Sequence, residues 1–193
     1  MTLSRLAVIA LLALAGCGRP ASPPARAEAY PPATAPTADA AAAPVVPAAP
    51  GTPGGLPDER TPLSEGPIAP DSAQGAGQVV QSYFALLESG RYAEARKLWG
   101  EGGQASGMSE DDFAAGFARY QSYHANIGAP GEIEGAAGSL HVSVPVQVYG
   151  RLKSGAPMDV KGQVRLRRVN DVPGSTPEQR RWHIEAVEVP PPA

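Results

Sequence analysis

The order of hydrophobic periods along the chain predicts an α+β fold, with helices first and an antiparallel sheet after them. Apolar residues recur at helical spacing between residues 79 and 120, then alternate from residue 140 onward. Composition confines this pattern to one region. Fourteen of the 22 prolines precede Ala73, which leaves about 115 residues, 73–189, for one domain with one core.

The first helix is read in GQVVQSYFALLESG, where Val79, Val80, Tyr83, Phe84 and Leu87 form one apolar stripe. Gly90 suits its end. RYAEARKLW continues with Tyr92, Ala95 and Trp99 on one face, and the glycines at 100, 102 and 103 stop it. Ser109 opens a third helix, because its hydroxyl can accept a hydrogen bond from a free backbone N–H two or three residues on. Met108 and Phe113 are placed to close a hydrophobic staple across that start. Phe113, Phe117 and Tyr120 are its expected buried face, and Tyr123 its last residue.

Beyond Tyr123 the period is two. Leu140, Val142, Val144, Val146 and Val148 alternate with His141, Ser143, Pro145, Gln147 and Tyr149, as in a half-buried strand. Pro145 lacks a ladder donor, so this strand is expected at an edge or bulged. After the turn GRLKSGAP, the residues Met158, Val160, Val164 and Leu166 face one way, with Gly162 among them. The last strand, RWHIEAVEV, slips parity between Trp182/Ile184 and Val187/Val189, which predicts a bulge. A short strand is also expected around residues 131–134.

These features, namely VVQSYFALLESGRYAEARKLW, the paired strands VSVPVQVYG and GQVRLRRVN, and a terminal RWHIEAVEV, resemble the NTF2-like superfamily. The resemblance covers about residues 76–189. It implies a cone of three N-terminal helices packed on a strongly curved antiparallel sheet, and a homodimer formed through that sheet. With Pro145 read as an edge signal, strand addition along residues 140–149 is a further expectation.

The family's enzymes, such as steroid isomerases and polyketide cyclases, place an acid, a tyrosine or a histidine inside the cone. The chemistry needs a general base near a substrate proton and a donor for the developing oxyanion. Here the inward strand positions carry no carboxylate. Asp159 has outward parity, while the expected bulge leaves Glu185 and Glu188 undecided. His124, His141 and His183 have no metal-ligand spacing, and no GxSxG or GKS/T motif occurs. No catalytic constellation, metal site or cofactor is read from the sequence. Tyr83, Trp99, Phe117, Tyr120 and Tyr123 are the aromatic candidates to line a pocket between helices and sheet, the alternative being ordinary core. His124, expected at the end of the third helix, is the polar candidate.

Charge adds an exclusion. Residues 73–189 hold 12 Lys plus Arg against 13 Asp plus Glu, so no basic field exists to attract nucleic acid. The cluster Arg165, Arg167, Arg168, Arg180 and Arg181 reads as a solvated hairpin face.

The N-terminus says where the protein is expected to work. Residues 1–16 combine Arg5, the apolar run LAVIALLALAG and small residues, the parts of a secretory signal peptide. That run is shorter than the roughly 20 residues a spanning helix needs. Leu14-Ala15-Gly16-Cys17 resembles the lipobox of bacterial lipoproteins and holds the only cysteine of the chain. The resemblance implies acylation of Cys17 with palmitate-like chains. It also implies a membrane anchor in the bacterial envelope with the domain in the periplasm, and Gly18 directs it towards the outer membrane. Residues 17–72, rich in Pro and Ala, read as a disordered linker able to span roughly 45 to 180 Å. Residues 190–193 form a tail.

The expected function is therefore a membrane-anchored, non-catalytic lipoprotein that binds an envelope protein partner or supports envelope maintenance. The alternatives are a carrier or sensor of a small apolar ligand, and an isomerase- or cyclase-like enzyme. Cys17→Ser should move the protein from the membrane to the soluble fraction and abolish incorporation of labelled palmitate; a labelled Cys17→Ser protein would refute the anchor.

Overall fold

The computed structural model describes residues 43–59 and 66–191. The expected signal peptide and the lipidation site Cys17 lie outside the described residues, as do positions 192 and 193. Among the described residues no helix is long and apolar enough to cross a membrane.

Helix α1 spans Ala73–Glu88. The Ser72 hydroxyl caps it by accepting from the Gly75 N–H at 3.0 Å. It ends as Gly90 and Arg91 donate to the Leu87 and Leu86 carbonyls, which satisfies two otherwise orphaned acceptors. Helix α2 spans only Tyr92–Arg96, and a 3-10 segment follows at Glu101–Ser106. Helix α3 covers Glu110–Gly116, with the Ser109 hydroxyl accepting from the Asp112 N–H at 3.1 Å. The count thus departs from the expected three helices. The glycines after Trp99 do not merely stop a helix; they build a fourth, 3-10 segment, with Gly102 and Gly103 at positive φ.

Five strands follow: β1 Tyr120–Ile127, β2 Glu134–Ala136, β3 Ser139–Leu152, β4 Pro157–Val169 and β5 His183–Glu188. All pair antiparallel in the order β1-β3-β4-β5, and β2 pairs with β3 beyond the end of β1. The short strand expected at 131–134 begins at Glu134.

Two expectations are corrected here. The third helix does not run to Tyr123: Tyr120, Tyr123 and His124 stand on β1. Register shifts between Tyr120 and Ser122, so Gln121 is an extra residue and both tyrosines face the core. A bulged strand can thus present residues three apart on one face, which imitates a helical repeat. Secondly, β3 is not an edge strand, because β1 and β2 flank it on one side and β4 on the other. Pro145 is tolerated because its pairing gap falls where the chain passes from β1 to β2; there its carbonyl accepts from Gly128 at 2.8 Å. Strand addition along 140–149 is therefore closed off. Gly162 marks a close approach. A Cβ there would lie 2.2 Å from the Glu188 carbonyl oxygen and 2.9 Å from Val189 Cα. The chain leaving β5 passes directly over it.

The bulge expected in the last strand is present: Arg165 pairs with Ala186 while Leu166 pairs with Ile184. The core lies between α1 and the inner sheet face. Val80, Tyr83, Phe84 and Leu87 meet Val142, Val144, Val146, Val148, Val164, Leu166 and Ile184, all buried. Burial of each such side chain contributes about 1.5–3 kcal/mol.

On the outer sheet face, residues 43–59, from the Pro/Ala-rich stretch, lie against β3 and β4. Gln147, only 1% exposed, donates to the Gly54 carbonyl at 3.3 Å and to Asp159 at 2.9 Å. Lys161 reaches the Gly55 carbonyl at 3.4 Å, and Leu56 is buried. Leu56→Ala should therefore cost about 2 kcal/mol or more in urea unfolding, as for a core leucine. A loss below about 0.5 kcal/mol, typical of surface sites, would show that this segment does not pack.

Candidate functional site

The bulges decide which side chains meet beneath the helices. The extra residue in β1 turns Tyr120 and Tyr123 inward together, and the one in β5 turns Val187 inward against Val164. The crossing at Gly162 carries Val189, Pro190 and Pro191 to the same place. Between them and the helices lies a cavity of about 340 Å³, at the lower end of the range for small-molecule sites, about 300–1,000 Å³. Tyr83 of α1, Trp99, Phe113 of α3 and Phe117 form the helical wall; Val148, Met158 and Val160 form the floor on β3 and β4.

The aromatic rings of the wall form two groups joined through Phe84, which meets Tyr83 edge-on and stacks on Tyr123. Tyr83 meets Trp99 edge-on at 6.4 Å between ring centroids, and Phe117 lies 5.5 Å from Tyr123, also edge-on. Tyr120 and Tyr123 are 5.0 Å apart. Such pairs favour a fixed ring arrangement by about 0.5–1.5 kcal/mol beyond area burial.

The polar groups of this cavity are few. Burial pushes the Tyr83 phenol well above its ordinary pKa, and Tyr123 is raised chiefly by burial and then by the facing Tyr83 and Tyr120. Both are neutral hydrogen-bonding groups over the physiological range. The buried Trp99 indole N–H completes no hydrogen bond among the described residues, although it lies near enough to the Tyr83 hydroxyl to moderate that shift. Among the described residues Arg119 is the only charged one in the lining, and neither a carboxylate nor a histidine of these residues lines it.

Five of the six residues singled out from the sequence, Tyr83, Trp99, Phe117, Tyr120 and Tyr123, line this cavity. His124 does not. Strand alternation turns it away from Tyr123, and its Nδ1 meets the Glu88 carboxylate at 2.5 Å. It borders a second cavity of about 310 Å³, with Glu88, Gln121 and Ser122. The sequence reading missed Arg119 and the 187–191 stretch. An arginine between Phe117 and Tyr120 was the available signal for the first; of the second, Val187 and Val189 were read as strand residues only and 190–191 as part of the tail.

The acids left undecided by the last strand face outward. Glu185 takes contacts from His141 at 3.2 Å and Arg165 at 3.3 Å, and Glu188 from Arg165 at 3.1 Å and Gln163 at 2.7 Å. Within the arginine cluster, Arg168, Arg180 and Arg181 also face carboxylates, while Arg167 donates to the Ser139 hydroxyl. Among the described residues no group of three His, Cys, Asp or Glu is placed to hold a metal ion.

Raised phenol pKa values give a signed pH dependence. Below the ordinary value of about 10 both states keep these phenols protonated and the groups leave stability unchanged. As pH climbs above it, the unfolded chain ionises while folded Tyr83 and Tyr123 do not, so stability falls. The urea midpoint should drop between about pH 9 and 11, around the ordinary phenol pKa, and Tyr83→Phe should flatten that drop. An identical pH profile in the variant would contradict the burial of this phenol.

No family model matches the chain, and no curated protein matches it either. Among solved structures, an NTF2-like superfamily protein from Salmonella enterica serovar Typhimurium is similar at a TM-score of 0.44 and 12% identity, covering 63% of this chain and 91% of that one. A protein from Kribbella flavida is similar at a TM-score of 0.41 and 12% identity, covering 59% and 86% respectively. At these values the likeness carries no argument about ligand or activity, and the architecture stands on the elements described above.

Proposed function

We propose that this chain is an envelope lipoprotein, anchored through Cys17, whose NTF2-like domain binds a small and largely apolar molecule without chemically changing it. The observation that carries this reading is the cavity itself: about 340 Å³, walled by aromatic and aliphatic side chains, with no carboxylate or imidazole among the described residues that line it. Proton abstraction needs a base within hydrogen-bond reach of the substrate. The buried phenols are kept neutral and serve as donors instead, which suits recognition better than catalysis.

Partner binding, the function first expected from the sequence, has less to support it. The large hydrophobic residues exposed among the described ones, Val46, Met108, Ile133 and Val172, come from four separate segments. A docking surface is normally a contiguous patch. Met108 moreover borders the cavity.

Trp99 lies in the cavity wall and reports on occupancy. Titration of the full chain with 1-decanol should change Trp99 emission. At about a hundred times Kd the ligand should stabilise the fold by about 2.7 kcal/mol, raising Tm by roughly 10 °C. Val160→Phe, which fills the floor of the cavity, should abolish both responses. If decanol, naphthalene and indole all leave emission and Tm unchanged in the wild-type protein, the binding reading is lost.

A further inference from the structure

We propose that the ligand of this cavity is an anionic amphiphile: an apolar body of about ten heavy atoms ending in a carboxylate, which Arg119 receives at the rim. This rests on the binding reading above and specifies the chemical class of its ligand. The size follows from the cavity: a water's share of liquid volume is about 30 Å³, so 340 Å³ holds roughly eleven groups of that size.

The charge follows from Arg119. It is exposed, it borders the otherwise uncharged lining, and no carboxylate lies within 4 Å of it among the described residues. Five other arginines, Arg91, Arg165, Arg168, Arg180 and Arg181, each face an acid on this molecule. Arg119 instead donates from Nη2 to the Tyr120 hydroxyl at 2.9 Å, with its guanidinium carbon 5.1 Å from the centre of that ring. Tyr120 belongs to the cavity wall, so the contact ties the cation to the entrance.

Two consequences follow from hydrogen-bond chemistry. A guanidinium has five N–H donors in a planar fork, and one bond to Tyr120 leaves the remainder for a carboxylate. The Tyr120 oxygen accepts from Arg119, so its own proton is available to a second acceptor. The Arg119 and Tyr120 side chains therefore present N–H and O–H donors next to a wall that accepts hydrocarbon. A cationic head would meet like charge there, and a neutral one would forgo the bidentate ion pair with the guanidinium. Because the contact with Tyr120 already restricts the guanidinium, less ordering is required when the ligand arrives.

The test uses the full chain in lipid nanodiscs, with decanoate, 1-decanol and decyltrimethylammonium as probes and Trp99 emission as the readout. Val160→Phe supplies the background from partition into lipid. Decanoate should bind about tenfold more tightly than decanol, the cation should bind least, and added salt should weaken only decanoate. Arg119→Gln should reduce the decanoate preference from about tenfold to near one, and Arg119→Lys, which keeps the charge without the fork, should restore part of it. If decanol binds as tightly as decanoate, or Arg119→Gln leaves the preference intact, the anionic class is overturned while the cavity reading stands. If no probe exceeds the Val160→Phe background, both fall.

Discussion

The contact between the valine stripe of β3 and helix α1 is what the rest of the structure depends on. Val142, Val144, Val146 and Val148 have almost no exposure, and Val80, Tyr83, Phe84 and Leu87 lie above the same sheet face. β3 is also the longest strand and the one to which β1, β2 and β4 all pair. A one-residue slip of this strand would send every valine to the outer face and bring Gln147 and Tyr149 inside. The sheet, the seating of the helix and the floor of the cavity are thus fixed by one period-two pattern.

Two extra residues then shape the site that this frame leaves. Regular alternation along β1 would place Tyr120 and Tyr123 on opposite faces, and Gln121 brings them to the same one. Regular alternation along β5 from Ile184 would aim Ala186 and Glu188 inward. The shift opposite Arg165 sends Glu188 outward to Arg165 and Gln163, and puts Val187 in its place. The second bulge therefore removes a carboxylate from the cavity as it adds a hydrocarbon side chain. Gly150 makes the first possible, since a Cβ there would lie 2.1 Å from the Ser122 carbonyl oxygen. Bulges beside sites that re-aim a side chain are a common use of the feature. Here they settle the chemical character of the cavity: aromatic, aliphatic and without a base.

Much of the frame was legible in the chain because it depends on periodicity. The helix α1, its Ser109-capped successor α3, the strands β3 and β4 and the bulge of the last strand all have clear local patterns. The failures share one cause. Phe117, Tyr120 and Tyr123 stand three apart, and a bulged strand and a helix satisfy that spacing equally well; pairing to β3 decides between them. Pro145 signals an edge when its missing donor is considered alone, and its central position becomes acceptable only where a gap between β1 and β2 faces it. The covering of Gln147 by residues near Gly54 links positions 93 apart in a stretch whose composition suggests a linker, and no local pattern encodes such a contact.

The amino-acid sequence by itself determined the α+β class, the register-bearing valine stripe, the aromatic composition of the cavity wall and the absence of a carboxylate from the regular inward positions. Those properties follow from side-chain period and burial, which act over a few residues. The tertiary structure alone decided that His124 leaves the aromatic group for Glu88, that Arg119 stands unneutralised at the rim beside Tyr120, and that the chain beyond β5 crosses Gly162 to line the cavity. Each of these depends on where distant segments meet, and that is set by strand pairing and by the space a missing Cβ leaves.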